Sequence, residues 1–342
     1  MRTDACPLDY RYRPSGLSGP ADLAADVVYV VGGLYGNVEA LRAVLEMKRR
    51  DETETGLRVR LVFNGDFNWF DCDDESFGTI NREVLAHHAL RGNVETELAL
   101  LRERGGCGCN YPSWVDDETV ALSNEIIQRL GETADRCAGI RQRFAELAMH
   151  CVVDVGEQRV AIVHGDAESL AGWHFAVEAM PDAGGGDTPR SSTGARADAA
   201  RARIAGYFDQ ARVLAFACTH TGLPFMQDFA IGGRPHLIVN NGAAGLPNFE
   251  GELYGILTRI AAHPARPAAS LYGIGIEGVR FDALPIRYDT AAWWARFSST
   301  WPPGSAARRG YERRIRCGPD YRIGQARRLG ESSMERRPMT VR

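Results

Sequence analysis

The sequence predicts an α/β (α+β) fold in which helix-linked strands come first and adjacent strands follow. From about Val27 to Val163, apolar strand-like runs alternate with segments of helical spacing, as in chains that build a sheet covered by helices. After Arg212, short β-type runs follow one another with few helical segments between them. That second pattern is typical of neighbouring strands that pair directly.

The first elements begin with the run VVYVV at 27–31, which predicts a strand buried on both faces. The strand ends at two glycines, and the next segment, VEALRAVLEMKRR, has helical spacing with Asn37 as its N-cap. The alternation continues through the strand LRVRLVFNGD, the helical segment ESFGTINREVLAHHAL, a short strand in AHHALRGN and the helix VETELALLRERGG. A helical region is then predicted from about Asp117 to Met149.

The later elements begin with HCVVDV and QRVAIV, two strands of a hairpin that turns at Gly156-Glu157. A low-complexity stretch at about 181–198 predicts a mobile loop, and a short helix follows near 199–209. The remaining strands are predicted at RVLAFACTH, FMQDFA, RPHLIVNNG, YGILTRI and LYGIGIEGVRFDAL.

These elements suggest one domain at 26–300 between a loose N-terminal segment at 1–25 and an Arg-rich C-terminal extension at 301–342. The residues after Trp301 include eleven arginines against four acids. Such a charge pattern suits either an acidic partner or a solvated surface.

Composition excludes several classes of function. The net charge of −4 gives no general attraction to nucleic acid, and no run approaches the roughly 18 apolar residues of a membrane span. The N-terminus lacks the apolar region of a secretory signal, so a cytoplasmic protein is expected. The eight cysteines are then expected to be free thiols.

Four predicted strands each lead to a polar side chain that can bind a metal. The carboxylate of Asp66, the amide of Asn93 and the imidazoles of His164 and His220 occupy these places. In open α/β sheets, ligands bind beyond the carboxyl ends of the strands, so the four donors are expected to converge. One carboxylate, one amide oxygen and two imidazoles suit a divalent ion such as Mn, Fe or Zn.

The order of these motifs resembles that of the calcineurin-like metallophosphoesterases. The matching stretches are GLYGN from Gly33, GD at Gly65-Asp66, GNVE from Gly92, HGD from His164, THTGLP from Thr219 and IVNNGAAGLP ending at Pro247. The resemblance implies two packed mixed β-sheets flanked by helices, a four-layer sandwich with its metal site at strand ends. It also implies hydrolysis of a phosphomonoester or phosphodiester, of a small molecule or a protein, by metal-activated water.

The resemblance also implies that one of the family's two metal positions is degenerate. The family's first Asp and His fall on Gly33 and Tyr35, its phosphate-contacting His on Val94, and its last His on Gly222. The second position keeps all of its ligands, namely Asp66, Asn93, His164 and His220. The expected cofactor is therefore one divalent ion, and the expected activity is weakened.

Three further residues are candidates for lining the site, each with a structural alternative. Tyr35 offers a phenol to a metal or a phosphate, or simply packs over the sheet. Glu95 and Asp166 either reach the site or act as charges at helix termini. Cys107 and Cys109 form a Cys-x-Cys pair without a second pair, which is a weak metal signal.

Two other functions compete with a metal-dependent phosphoesterase. The degenerate positions suit a catalytically inactive binding or scaffold protein on the same fold. The glycines of VVGGLYGN raise a third alternative, a Rossmann-type nucleotide-binding enzyme whose loop amides cradle a phosphate, although their spacing differs from Gly-x-Gly-x-x-Gly.

Overall fold

The computed structural model describes residues 10–104, 106–182, 194–263 and 265–330. Within these ranges the chain forms two mixed β-sheets flanked by helices. This architecture confirms the predicted fold class. The central part of the predicted mobile loop, 183–193, lies outside the described residues.

The strands are β1 (Leu23–Ala24), β2 (Val27–Val31), β3 (Val59–Asn64), β4 (His88–Leu90), β5 (His150–Val155), β6 (Gln158–Val163), β7 (Ala215–Cys218), β8 (Phe225–Ile231), β9 (Arg234–Asn240), β10 (Gly255–Ala261), β11 (Tyr272–Ile276), β12 (Val279–Ile286) and β13 (Arg327–Arg328). The helices are α1 (Val38–Thr55), α2 (Asp74–Val84), α3 (Asn93–Arg104), α4 (Asp117–Arg136), α5 (Ile140–Glu146), α6 (Ala195–Ala211), α7 (Thr290–Thr300), α8 (Ala306–Cys317) and α9 (Ile323–Ala326). No helix of the described ranges is both long and apolar enough to cross a lipid bilayer.

The first sheet has the order β11-β12-β10-β2-β3-β4, with β2, β3 and β4 parallel and β10 antiparallel to β2. Alternate residues of β2 enter different layers. Val28 and Val30 pack in the core shared with the second sheet, whereas Val27, Tyr29 and Val31 pack on the side of α1 and α4. Burial on both faces explains the unbroken apolar run of this strand.

The second sheet has the order β1-β5-β6-β7-β9-β8-β13. The hairpin of β5 and β6 turns where the sequence predicts it, at Gly156, with Val155 paired to Gln158. Strands β6 and β7 are parallel, so both deliver their last residues to the same edge. Helix α6 covers this sheet, with the ring of Phe208 4.9 Å from the ring of Phe216 in β7.

The two sheets are joined at the edge where β3 and β6 end. The side-chain amide of Asn64, the last residue of β3, donates to the carbonyl oxygen of Val163 at 2.8 Å and to the hydroxyl of Thr219 at 2.8 Å. Val163 ends β6, and Thr219 directly follows β7. The residues after these three strands are therefore close neighbours.

The described part of the N-terminal segment is not loose, because Tyr10 and Leu17 are fully buried and β1 pairs in parallel with β5. The C-terminal segment up to residue 330 is also part of the domain. Trp301 is buried, and its indole N–H donates to the carbonyl oxygen of Phe70. Arg328 pairs through β13 with β8 and is almost fully buried. Apolar and hydrogen-bonding groups inside these segments fix both of them.

Candidate metal centre

The four predicted donors meet at the edge where the two sheets are joined. One ligand atom each from Asp66, His164 and His220 lies within 4.8 Å of the other two. The Nε2 atom of His164 lies 3.3 Å from Oδ2 of Asp66 and 3.3 Å from Oδ1 of Asn93. The structure thus brings together side chains that are up to 154 positions apart, counting from Asp66 to His220 (220 − 66 = 154).

The ring of His164 is oriented by the end of β3. Its Nδ1 lies 2.7 Å from the carbonyl oxygen of Asn64, and since a carbonyl only accepts, Nδ1 carries the proton. The lone pair of Nε2 then faces the oxygens of Asp66 and Asn93, which are themselves acceptors. Three acceptors around one point require a proton or a cation between them, and a backbone partner on the second nitrogen is typical of a metal-binding histidine.

The ring of His220 is anchored through its other nitrogen, Nε2, whereas His164 is anchored through Nδ1. Its Nε2 donates to the carbonyl oxygen of Cys109 at 3.0 Å. Its Nδ1 is buried and has no hydrogen-bond partner within the described structure, although unpaired buried polar atoms are rare. The rings of His164 and His220 lie 5.2 Å apart. The unpaired Nδ1 is therefore available to a cation beside the ligand atoms of Asp66 and His164.

One loop between α3 and α4 orients two of the four donors. The carbonyl of Cys107 accepts from Nδ2 of Asn93 at 2.9 Å, which leaves Oδ1 facing His164, and the carbonyl of Cys109 accepts from His220. Cys109 also lines the site. The Cys-x-Cys pair, a weak metal signal in the sequence, acts through its backbone, which orients the donor side chains; neither thiol belongs to the described cluster of ligand atoms.

Asp66 is placed by an unusual backbone. Its φ is +52°, a conformation that side chains seldom adopt outside special sites. Its Oδ1 accepts from the amide of Val94 at 3.2 Å, so Oδ2 remains for His164. A Cβ on Gly92 would overlap the Asp66 carboxylate, so only glycine permits this approach.

Electrostatics favour a proton between His164 and Asp66, which a metal ion bound at Nε2 of His164 would displace. Burial opposes charge on Asp66 and His164, but each stabilises the other: the pKa of Asp66 is lowered and that of His164 is raised. Burial, reinforced by the charge of His164, lowers the pKa of His220 to about 4. His220 is therefore neutral near pH 7, with a lone pair on its unpaired Nδ1.

Tyr35 fills the space beside Gly33. A Cβ on Gly33 would lie 2.5 Å from Cζ of the Tyr35 ring, and the phenol oxygen lies 3.7 Å from the corresponding point on Gly222. The ring packs near Phe70, with centroids 6.3 Å apart. Burial, reinforced by the charge of Asp66, raises the pKa of the phenol. Two positions that the resemblance marks as degenerate thus border one aromatic side chain.

Glu95 does not line the site, contrary to expectation. Its buried carboxylate accepts from the backbone amides of Asp66 at 2.8 Å and Gly92 at 2.9 Å, and also from those of Phe67 and Asn68 at 3.1 and 3.3 Å. Burial, followed by the charge of Asp66, raises its pKa to about 7. Glu95 therefore anchors the loop after β3 and the turn at Gly92, and both of its carboxylate oxygens accept hydrogen bonds from backbone amides.

Asp166 also points away from the donor cluster. It accepts from the amides of Glu168 and Ser169 at 2.9 and 3.0 Å and lies 3.2 Å from Nδ1 of His174. It lines a neighbouring cleft of about 740 Å³ instead. Its proximity to His164 in the sequence predicted a place in the site, but the turn after β6 directs its side chain into the neighbouring cleft.

In the glycine loop after β2, three of the backbone amides are already engaged within the chain and cannot cradle a phosphate. The amide of Tyr35 donates to the carbonyl of Asp66 at 3.2 Å, that of Gly36 to Phe67 at 2.8 Å, and that of Asn37 to Leu34 at 3.0 Å. The two-sheet architecture also differs from a single doubly wound sheet. The Rossmann alternative is therefore wrong.

A cavity of about 120 Å³ lies over the donor cluster. Asp66, Asn93 and His220 line it together with Tyr35 and Val94. Sequence reasoning missed several further lining residues, namely Trp69, Cys109, Tyr111, Trp173, Leu246, Tyr311 and Arg314. Apart from Leu246 in IVNNGAAGLP and Cys109 in the Cys-x-Cys pair, no local motif marks them, because they come from loops and from the C-terminal helix α8.

Comparison with known proteins identifies the fold. No family model and no curated protein matches the sequence. A hypothetical protein of Pyrococcus horikoshii OT3 is similar in structure over 86% of this chain and 99% of its own, with a TM-score of 0.55 and 14% identity. A metallophosphoesterase of Sphaerobacter thermophilus matches over 86% of this chain and 100% of its own, with a TM-score of 0.50 and 13% identity. The chain has the metallophosphoesterase fold, as its motifs imply.

Proposed function

We propose that this chain is a divergent metal-dependent phosphoesterase that hydrolyses a phosphomonoester or phosphodiester with one divalent ion, Mn, Fe or Zn. The proposed ligands are Asp66, Asn93, His164 and His220. The observation that carries the proposal is the unpaired, buried Nδ1 of His220 beside the ligand atoms of Asp66 and His164. A carboxylate, an amide oxygen and two oriented imidazoles match the preference of these ions.

In this proposal the metal ion supplies the chemistry, and the residues around it position the ligands. A divalent ion in this donor set supplies a Lewis acid that polarises a phosphoryl group and makes water nucleophilic near neutral pH. Asn64, Cys107 and Cys109 hold the donors in place through their carbonyls. Val94 lines the cavity without a polar side chain. Loss of one stabilising donor commonly costs about a hundred- to thousandfold in rate, so slow turnover is expected.

The neighbouring cleft of about 740 Å³ suits the organic part of the substrate. It shares Tyr111 and Trp173 with the metal cavity, and the ring of Trp173 lies 5.3 Å from that of His220. The exposed Trp114 extends this aromatic wall, 6.3 Å from Trp173. A volume of this size is typical of a small-molecule site, which favours a small phosphate ester over a folded phosphoprotein.

The test combines metal analysis with hydrolysis. Elemental analysis of protein purified without chelators is expected to give about one equivalent of Mn, Fe or Zn. Hydrolysis of an aryl phosphate or an aryl phosphodiester should be lost in His164→Ala and retained in the exposed-site control His263→Ala. A chelator should abolish turnover and metal should restore it. Hydrolysis that survives His164→Ala would contradict the proposal.

A second candidate, a non-catalytic binding protein, is favoured by the Tyr35 ring beside Gly33. It predicts folding without metal and no turnover on any phosphate ester, with a ligand that binds but is not cleaved. A broad panel of phosphate esters, run at high protein concentration with several divalent metals, separates the two candidates. Turnover on any substrate that disappears in His164→Ala supports the enzyme.

A further inference from the structure

Arg314 is a cation inside the metal cavity. It lies on α8, and its side chain lines the same cavity as Asp66 and His220. Two backbone carbonyls hold its guanidinium: Nε donates to Pro247 at 3.1 Å and Nη2 donates to Gly222 at 2.9 Å. The orientation of the group is therefore fixed before any ligand arrives.

Within the described structure, Arg314 has no acidic partner, unlike Arg308 and Arg309 on the same helix. Arg308 pairs with Glu312 at 2.7 Å, and Arg309 pairs with Glu118 at 2.6 Å. Across the described parts of the chain, no ion pair joins Arg314 to a carboxylate, and its Nη1 makes no hydrogen bond. A half-buried guanidinium with spare donors beside a cavity is suited to an anion, above all a phosphate.

The guanidinium also lies beside Gly222, which has no side chain. A Cβ on Gly222 would have Nη1 of Arg314 at 3.7 Å, Nη2 at 3.9 Å and the phenol oxygen of Tyr35 at 3.7 Å. These are ordinary van der Waals distances. The guanidinium and the phenol therefore lie directly beside position 222, next to the donor cluster.

We propose that Arg314 binds the phosphoryl group of the substrate, with the Nη1 donors holding a non-bridging oxygen. The identity of the anion rests on the proposed function, whereas the anion site itself rests on the geometry of Arg314. The guanidinium supplies positive charge at one wall of the cavity, and three of the four proposed metal ligands, Asp66, Asn93 and His220, lie on its other walls. It also explains how a site with a single ion neutralises a phosphate.

The test measures binding of inorganic phosphate by calorimetry, with the full chain both chelated and loaded with Mn²⁺ or Zn²⁺. Arg314→Met is expected to weaken phosphate binding about ten- to hundredfold, with metal content unchanged. Arg314→Lys keeps the positive charge but not the planar set of N–H donors of a guanidinium, so an intermediate loss of phosphate affinity is expected. Arg313→Met, an exposed position on the same helix, is the matched control and should bind phosphate like the wild type.

Unchanged phosphate affinity in Arg314→Met, or equal losses in Arg314→Met and Arg313→Met, would overturn the inference. So would a wild-type protein that binds no phosphate at millimolar concentration. If Arg314→Met fails to fold, a crystal structure of the wild type with phosphate decides: phosphate on Nη1 supports the inference, and phosphate bound elsewhere overturns it.

These outcomes remain distinct from those of the proposed function. If hydrolysis depends on metal but phosphate affinity is the same with and without Arg314, the proposed function is supported and the role of Arg314 is refuted. If phosphate binding depends on Arg314 but no substrate is hydrolysed, the anion site is supported and the protein is a non-catalytic binder.

Discussion

The packing of Tyr35 over Gly33 predicts a measurable coupling between the two positions. A Cβ on Gly33 would stand 2.5, 2.8 and 3.0 Å from three atoms of the Tyr35 ring, all well inside normal contact distance. Gly33 has no positive φ, so alanine meets no backbone strain there. Any cost of Gly33→Ala must therefore come from the ring.

The cost follows from how little room the ring has to move. Phe70 lies on one side of it, and the Gly222 backbone and Arg314 lie near its hydroxyl. Overpacking of this kind typically destabilises a protein by about 1–3 kcal/mol. In a Tyr35→Ala background the same Gly33→Ala change should cost nearly nothing, because the ring is gone. The expected coupling free energy is then about 1–3 kcal/mol.

The assay is a double-mutant cycle in equilibrium urea unfolding, followed by tryptophan fluorescence and far-UV circular dichroism with coincident transitions. Gly78→Ala is the control, since a Cβ there meets nothing within 4 Å. As a glycine inside α2, Gly78 should gain about 1 kcal/mol from alanine. If Gly33→Ala costs the same with and without the Tyr35 ring, the ring does not occupy this space.

Two further predictions concern buried acids around the site. Glu95→Ala strips four backbone amides of their acceptor and should lower the free energy of unfolding by about 3 kcal/mol or more, whereas the exposed Glu157→Ala should be nearly neutral in the same urea titration. Burial raises the pKa of Asp71 to about 8, far above its unfolded value, so the folded state holds an extra proton. Asp71 should therefore contribute a fall in stability of up to about 1.4 kcal/mol per pH unit as the pH rises from 5 to 8, and Asp71→Asn should remove this contribution from the slope. Urea midpoints at several pH values that fall in parallel for both proteins would contradict the assignment.

The local elements could be predicted from sequence because their signals are local. Apolar runs, helical spacing and caps lie within a few residues of each element. Asn37 caps α1 by accepting from the amide of Ala40, and the hairpin turns at Gly156. The four donors could be predicted for a similar reason, since each follows its own strand and parallel strands end at a common edge.

Side-chain direction could not be predicted, because it depends on turns and on distant partners. Glu95 and Asp166 adjoin the donors in sequence, yet one binds four amides and the other faces the neighbouring cleft. The Cys107–Cys109 loop acts through its carbonyls, which carry no sequence signal.

The sequence by itself determined the order of the elements, the motif resemblance and the four donors, since periodicity and spacing encode them directly. Only the tertiary structure decided what surrounds those donors. It placed Arg314, 248 positions after Asp66 (314 − 66 = 248), in the same cavity, and it set the Tyr35 ring against Gly33. Contacts between residues so far apart arise from the packing of whole helices and sheets, which no local pattern specifies.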